Sequence, residues 1–478
     1  MKTGRPRPID REGEFFINEL FFSTTDLVGN ITSGNSVFVR VSQYEKSELI
    51  GAPHNLIRHP DMPRIVFKVL WDYLKAKKPV VAYVKNMTKE GKYYWVLAAA
   101  FPVSGGYLSI RLKPSSDIFK LIPGVYSKLL AVEESGGMEA SLTLLLEIIK
   151  TKGFDDYDSF MSTILVEELN SRQRIMQTNQ QAALSAERLV STPSKDREQE
   201  ELISQLKEIK HFCTEVTSSF DRLFGDFDNL LTVEKTLKDT STSVLSFSEQ
   251  ISILSLNVNI NSYFAGESGR TLSVVAKTIK NKTEEIESFT QSIVRSSKDI
   301  STHTQKLGFQ TSTPRLQSAM INAFIQELYD QALRQKVSRE DIDDMKFNIL
   351  VLIDLFMNTF SQLTNILIPI GGKINDILEL INSINTSIYE LERCNFLGNI
   401  EAAVIGEKGV KFNFTFAEIK EATETTKQCL LSFRQYLSGV METTKAIQVT
   451  NSKILVSVAS IKKAIDKIQV VDKALVGR

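Results

Sequence analysis

From Leu202 onward the apolar residues recur at alternating steps of three and four: Leu202, Leu206, Ile209, Cys213, Val216, Phe220, Leu223, Phe227, Leu230, Leu237, Val244 and Ile251, with Glu234, Ser241 and Ser248 as polar exceptions. That spacing predicts a coiled-coil seam. At 1.5 Å per residue, about fifty residues make an arm of roughly 75 Å. The seam resumes after residues 257–269 through Leu272, Ile279, Ile286, Ile293, Ile300 and Leu307, and stops near Gly308 and Pro314. A second seam runs from Ile342, Met345 and Ile349 to Ile388 and Leu391, then from Phe412 and Ile419 to Ile461 and Ile468. Positions 202 and 342, 251 and 391, 279 and 419, and 300 and 440 all differ by 140, so the repeating unit is an entire helical hairpin. Pro369 and Gly371-Gly372 fall inside the second ascending arm and are expected to bend it.

The first part of the chain has a different texture. Short β-rich runs at residues 29–32, 80–86, 93–102 and 106–112 alternate with turn signals, and residues 45–50 and 63–75 read as helices. The pattern predicts one antiparallel sheet with helices on one face enclosing a pocket. Within it, residues 53–63 (PHNLIRHPDMP) hold three prolines and two histidines. Each proline removes a donor and restricts its predecessor, which predicts a short helical turn and loop. Arg58, His59 and Asp61 are suited to a phosphate, a heterocycle edge and a ribose hydroxyl. The alternative is a loop whose polar groups satisfy one another.

Residues 114–200 then form a helical connector, with a break at Ser135-Gly136-Gly137, two amphipathic helices at 138–150 and 157–174, and a polar linker at 171–197.

Composition narrows the function. Lys+Arg and Asp+Glu are both 57, so no basic field suggests nucleic acid. Cys213, Cys394 and Cys429 have no CxxC spacing, and the four histidines have no ligand spacing, so no metal site and no catalytic residue is expected. The N-terminus lacks the apolar core of a signal peptide, and residues 142–149 are too short for a membrane span. A cytoplasmic, non-enzymatic protein is expected.

Ser23-Thr24-Thr25-Asp26-Leu27, Asn35, the 53–63 run, Trp71, Val84-Lys85-Asn86, Tyr94-Trp95-Val96 and Ser109-Ile110-Arg111 resemble the PAS domain of bacterial aerotaxis receptors, flavin-containing redox sensors of the chemoreceptor superfamily. The resemblance implies FAD as cofactor, with Asn35, His54, Arg58, His59, Asp61, Trp71 and Asn86 as its binding residues. Val80 departs from the pattern, because some members carry a tryptophan there. Asn257, Asn261, Gly266, Glu267 and Gly269, and again Asn399, Glu401, Gly406, Glu407 and Gly409, resemble the signalling tip of methyl-accepting chemotaxis receptors. That tip engages a chemotaxis coupling protein and a histidine kinase. The tip glutamate is kept as Glu401 but replaced by Asn261, and the arginine that helps dimers associate is replaced by Phe264 and Val404. Glu284-Glu285 is the one weak candidate for methylation.

The domains expected are a tail (1–14), a PAS sensor (15–113), the connector (114–200), a first hairpin (201–307), a crossover helix and loop (308–340), a second hairpin (341–470) and a tail (471–478). The fold class is therefore an α+β PAS domain followed by a long all-α antiparallel four-helix bundle. One chain with two hairpins is expected to fold as an intramolecular pseudo-dimer; the rival is a two-chain arrangement through exchanged hairpins or the PAS domain. The function expected is a redox sensor-transducer. The alternative is a scaffold or adaptor with a vacant PAS domain that joins existing chemoreceptor clusters.

Overall fold

The computed structural model describes residues 6–183, 197–334 and 339–468. Residues 184–196 of the linker expected at 171–197, and the C-terminal tail expected at 471–478, lie outside the described residues. The chain divides into two compact units. One comprises Met1–Phe220, Leu307–Leu363 and Ser452–Arg478, and the other comprises Asp221–Lys306 and Thr364–Asn451.

The first unit contains a six-stranded sheet. Its strands are β1 (Ile9–Glu12), β2 (Leu20–Asp26), β3 (Ile31–Gly34), β4 (Val80–Met87), β5 (Lys92–Val103) and β6 (Gly106–Leu112), with β4, β5, β6, β2 and β3 side by side and antiparallel. β1 adds to the start of β5 in parallel. The expected N-terminal tail thus contributes a strand. Its side chains are exposed, so no apolar alternation announced it, and backbone bonds fix it: Ile9 N to Gly91 O at 2.8 Å and Gly13 N to Tyr93 O at 2.7 Å. β2 (LFFSTTD) also escaped the periodicity, because its side chains are buried or half-buried on both faces and no polar alternation survives.

Between β3 and β4 lie α1 (Ser36–Ser42), α2 (Lys46–Leu49), a single 3₁₀ turn at His54–Ile57 and α3 (Arg64–Lys75). Asn35 caps α1: its Oδ1 accepts from Phe38 N and Phe22 N, and its Nδ2 donates to Leu20 O.

The outer face of β4 and β5 is covered by α4 (Ile122–Thr151) and α5 (Tyr157–Ala183). Tyr126 and Tyr157 donate to the carbonyls of Tyr83 and Val81, and Trp95 packs edge-on against Phe119. The expected break in α4 is present, with Gly137 at φ 77°, but the helix before it already begins at Ile122. Glu133 of α4 is buried and accepts from Arg64 N and Ile65 N, capping α3 from outside, while also pairing with the Arg64 guanidinium at 2.8 Å.

Four long helices follow: α6 (Arg197–Ala265), α7 (Arg270–Leu333), α8 (Arg339–Val404) and α9 (Val410–Lys467). Among the described residues, the helical part of the crossover expected at 308–340 is not a separate element: α7 continues through Gly308 and Pro314 to Leu333. The seam pattern fades because this stretch is buried around its circumference. Gly308 faces Ser162 and Val166 of α5, and Phe324 meets Phe22 of β2 edge-on at 5.0 Å. Pro369 likewise sits inside α8, which runs unbroken to Val404. Asn348 of α8 donates to Ser33 Oγ of β3 at 2.9 Å, and Lys46 pairs with Asp344 at 2.7 Å.

In the second unit the four helices pair within one chain. Lys373 of α8 meets Asp299 of α7 at 3.1 Å, Ser387 of α8 bonds Glu285 of α7, and Lys427 of α9 pairs with Glu392 of α8 at 2.9 Å. Ser243, Phe247 and Gln250 of α6 share a groove with Glu418, Glu421 and Thr425 of α9. Seam residues such as Val244, Ile279, Ile377 and Ile447 are buried, so the bundle is built from two hairpins of a single chain. Among the described residues, one helical stretch, Ile342–Val404, passes a length-and-composition test for crossing a membrane. Its seam residues, such as Ile349 and Phe356 in the first unit and Ile374 and Ile388 in the second, are buried, while Phe347, Ile368 and Phe396 are exposed.

Candidate functional site

The sheet of the first unit curls around a cavity of about 340 Å³. The 53–63 loop is stitched onto its rim. Pro53 bridges Asn30, Arg58 bridges Asn86, and His59 N donates to Lys85 O at 3.2 Å. Gly29 lets the Trp71 ring close in, since a Cβ there would lie 3.2 Å from it, and Trp71 packs edge-on against Tyr107 at 5.3 Å.

His54, Arg58, Trp71 and Asn86 line the cavity. Asn35, His59 and Asp61 are not among its lining residues. Asn35 is the helix cap already described. His59 is buried with its Nδ1 accepting from Asp61 N, and the Asp61 carboxylate lies 2.6 Å from Lys85 Nζ. At those two positions the loop satisfies itself. Val80 is buried opposite Ala100 and does not line the cavity. Arg58 stacks over Phe67 at 4.3 Å and donates to Met62 O.

The strongest electrostatic feature is Arg111 on β6, which the sequence reading did not single out as a site residue. Its guanidinium is buried, donating to Ser23 Oγ at 2.7 Å and to His54 Nε2 at 2.8 Å, and lies over Phe21. Burial lowers Arg111 to about 10, so it is still charged at neutral pH. Burial, and then the Arg111 charge, push the His54 imidazole well below its usual range. His54 is therefore neutral, with Nε2 the acceptor and the proton on Nδ1. Among the described residues of this domain, Ser109 Oγ is buried with no hydrogen-bond partner, and Asn86 Nδ2 and Tyr94 Oη have only each other, beyond ordinary hydrogen-bond distance. Asn86 and Ser109 line the cavity. An unpaired hydroxyl and a loosely held amide there, beside a guanidinium with only neutral partners, suit a flat polar ligand.

The two turns of the long helices share one geometry. Gly266–Gly269 and Gly406–Gly409 are single 3₁₀ turns, opened by Gly266 at φ 68° and Gly406 at φ 69°. Gly269 and Gly409 have no room for a Cβ, which would fall 2.1 Å from Ser262 O and 1.7 Å from Ala402 O. Asn257, Glu267 and Glu407 are exposed, Asn261 and Glu401 are half-buried, and Asn399 donates to Asn395 O at 2.9 Å. Tyr263, Phe264 and Val404 are also exposed beside them.

Residues 31–108 match the family model described as PAS fold. Over 127 residues the chain is 40% identical to the aerotaxis receptor of Escherichia coli (strain K12), an alignment covering 26% of this chain and 25% of the relative. The chain thus spans about a quarter of that relative's length. A fungal LOV-domain photoreceptor structure is 20% identical, covering 23% of this chain and 81% of its own, with a TM-score of 0.18. The curled sheet, the lined cavity and the family match together make the N-terminal domain a PAS domain, similar to that of an aerotaxis receptor and followed by a long helical bundle.

Proposed function

We propose that this protein is a cytoplasmic redox sensor-transducer whose PAS cavity binds FAD and whose helical bundle reports to chemotaxis machinery. The observation that carries the reading is the cavity: a buried guanidinium with neutral partners and an unpaired hydroxyl, in a domain 40% identical to an aerotaxis receptor. A flavin supplies a ring whose charge and hydrogen bonding change on reduction. Ser109 Oγ and Asn86 Nδ2 would bond its polar edge, Trp71 and Phe67 are aromatic side chains of the lining that would pack against it, and Arg58 stands where the 53–63 loop meets the cavity. The remaining residues expected to bind FAD act one step back: Asn35 shapes β2 and α1, and Asp61 with Lys85 fixes the loop.

The output surface is the pair of tips, which would engage a coupling protein and kinase or an existing receptor cluster. Asn261 against Glu401 makes the two tips unequal, and Phe264 and Val404 stand in place of the array arginine. Purified full-length protein is expected to be yellow and to release FAD on denaturation, with Arg58→Ala and Asn86→Ala lowering flavin content. Colourless protein that also fails to take up added FAD overturns the sensor in favour of a docking scaffold.

A further inference from the structure

Arg111 raises a question that binding alone does not answer. Ser23 and His54, which accept its hydrogen bonds, are neutral, and so is the Phe21 ring beneath it. Among the described residues no carboxylate pairs with it, and the cavity lining contains a second guanidinium, Arg58, but no acidic residue. A buried cation without an anion is unfavourable, and the balance improves when a ligand brings the negative charge. Oxidised isoalloxazine is neutral. Adding two electrons and one proton, with a reduced electron carrier as donor, gives a ring protonated at N5, unprotonated at N1 and singly negative.

We propose, building on the flavin reading, that Arg111 is a positioning residue that holds the reduced ring as its anion and so makes the cavity prefer reduced over oxidised flavin. The titratable and charged groups around the cavity are Arg111 and Tyr107 from β6, His54 and Arg58 from the loop, and Tyr94 from β5. β2, β4 and α3 bring only neutral side chains to it. Protonated arginines and a neutral histidine leave the anion no competing acid, and the field of a guanidinium favours loss of the N1 proton.

The test uses the full chain reconstituted with FAD, comparing wild type, Arg111→Gln and Arg111→Lys. Affinities for oxidised and dithionite-reduced FAD are measured anaerobically, with the near-ultraviolet spectrum of the bound reduced flavin. Arg111→Gln is expected to lower the reduced-to-oxidised affinity ratio by on the order of tenfold or more, a fall of about 30 mV per tenfold in a two-electron midpoint. Arg111→Lys keeps the charge and is expected to stay much closer to wild type. In wild type the bound reduced flavin keeps its anionic spectrum on acidification past the point where free reduced FAD, titrated alongside, protonates. That last measurement needs no variant, so a misfolded Arg111→Gln does not rescue the idea. An unchanged ratio in Arg111→Gln, or N1 protonation in wild type in step with free FAD, overturns the role of Arg111 and leaves the flavin reading standing. Wild type that binds no flavin overturns both.

Discussion

Replacing Glu168 is expected to be among the most damaging single changes in the first unit. This carboxylate, on α5, is fully buried. Its Oε2 accepts from Ser115 N at 2.6 Å and Ser116 N at 3.0 Å, and its Oε1 accepts from Ser116 Oγ at 2.7 Å and Tyr83 Oη at 2.8 Å. Ser115 and Ser116 lie just past Lys113-Pro114 at the end of β6, so one side chain ties the exit of β6, the outer face of β4 and α5 together. Glu168→Ala strands the buried amide N–H of Ser116 and the half-buried one of Ser115, at up to about 1–3 kcal/mol each, and frees two hydroxyls. Breaking a buried charged network of this kind costs about 3–5 kcal/mol in all. Glu168→Gln is different. Its remaining oxygen can keep the two amides while its NH₂ faces the hydroxyls of Tyr83 and Ser116, which rotate to accept, so the cost should stay at roughly 1–2 kcal/mol. Tyr83→Phe loses a single bond and should cost about 1 kcal/mol. Urea unfolding followed by Trp95 fluorescence in a Trp71→Phe background reads the differences. With a slope of about 2 kcal/mol/M, the alanine variant should unfold roughly 2 M earlier. The reasoning fails if Glu168→Ala lies within about 0.5 kcal/mol of its background, or if glutamine is as harmful as alanine.

Three further outcomes follow from particular contacts. His54 is neutral in the folded state with its pKa depressed, so its contribution is present above the unfolded value of 6.5 and is lost as pH falls below it. Stability should drop there by up to about 1.4 kcal/mol per pH unit, and Gln at position 54 should flatten that slope in urea titrations at stepped pH. Gly409→Ala forces a methyl against Ala402 O and should cost about 1–3 kcal/mol at the turn, seen as faster amide exchange, whereas Gly372→Ala, with open space around it, should be neutral or stabilising. Glu133→Ala removes the external cap of α3 and should cost about 1–2 kcal/mol, with Glu133→Gln recovering part of it in thermal melts.

What the sequence made legible was whatever a local period or a backbone constraint records. The long seams follow from spacing alone, because a helix buried on one stripe must repeat every three and four residues. The two turns follow from the interruption of each seam, and their reading as signalling tips rests on the resemblance to chemotaxis receptors. Three proline-marked corners predicted the 53–63 loop. Elements buried on several sides left no period to read. β2 lies between the cavity and a helix, and Gly308–Leu333 lies among α5, β2 and α8. Asn35 was readable as a helix cap, since Asn-Ser-Val-Phe is a standard entry into a helix. Arg111 was not: an arginine ending an apolar strand reads as a surface charge. Only the sheet order, which sets β6 beside β2 and brings the loop's His54 over them, shows that its partners are neutral and its surroundings closed.

The same strand that meets the cavity also meets the helices, and that follows from the pleat. Successive residues of β2 face opposite sides. Ser23 points inward to Arg111, while Phe22 points outward to the ring of Phe324 on α7. One strand over, Ser33 of β3 takes a hydrogen bond from Asn348 of α8. The peptide unit joining Phe22 to Ser23 is planar, so only φ and ψ at the two residues separate the contacts on the two faces. An edge-on aromatic pair is worth about 0.5–1.5 kcal/mol beyond its buried area, and a single hydrogen bond about 1 kcal/mol. Couplings between distant sites are typically 1–3 kcal/mol. The two contacts between β2–β3 and the helices are therefore each comparable in size to such a coupling.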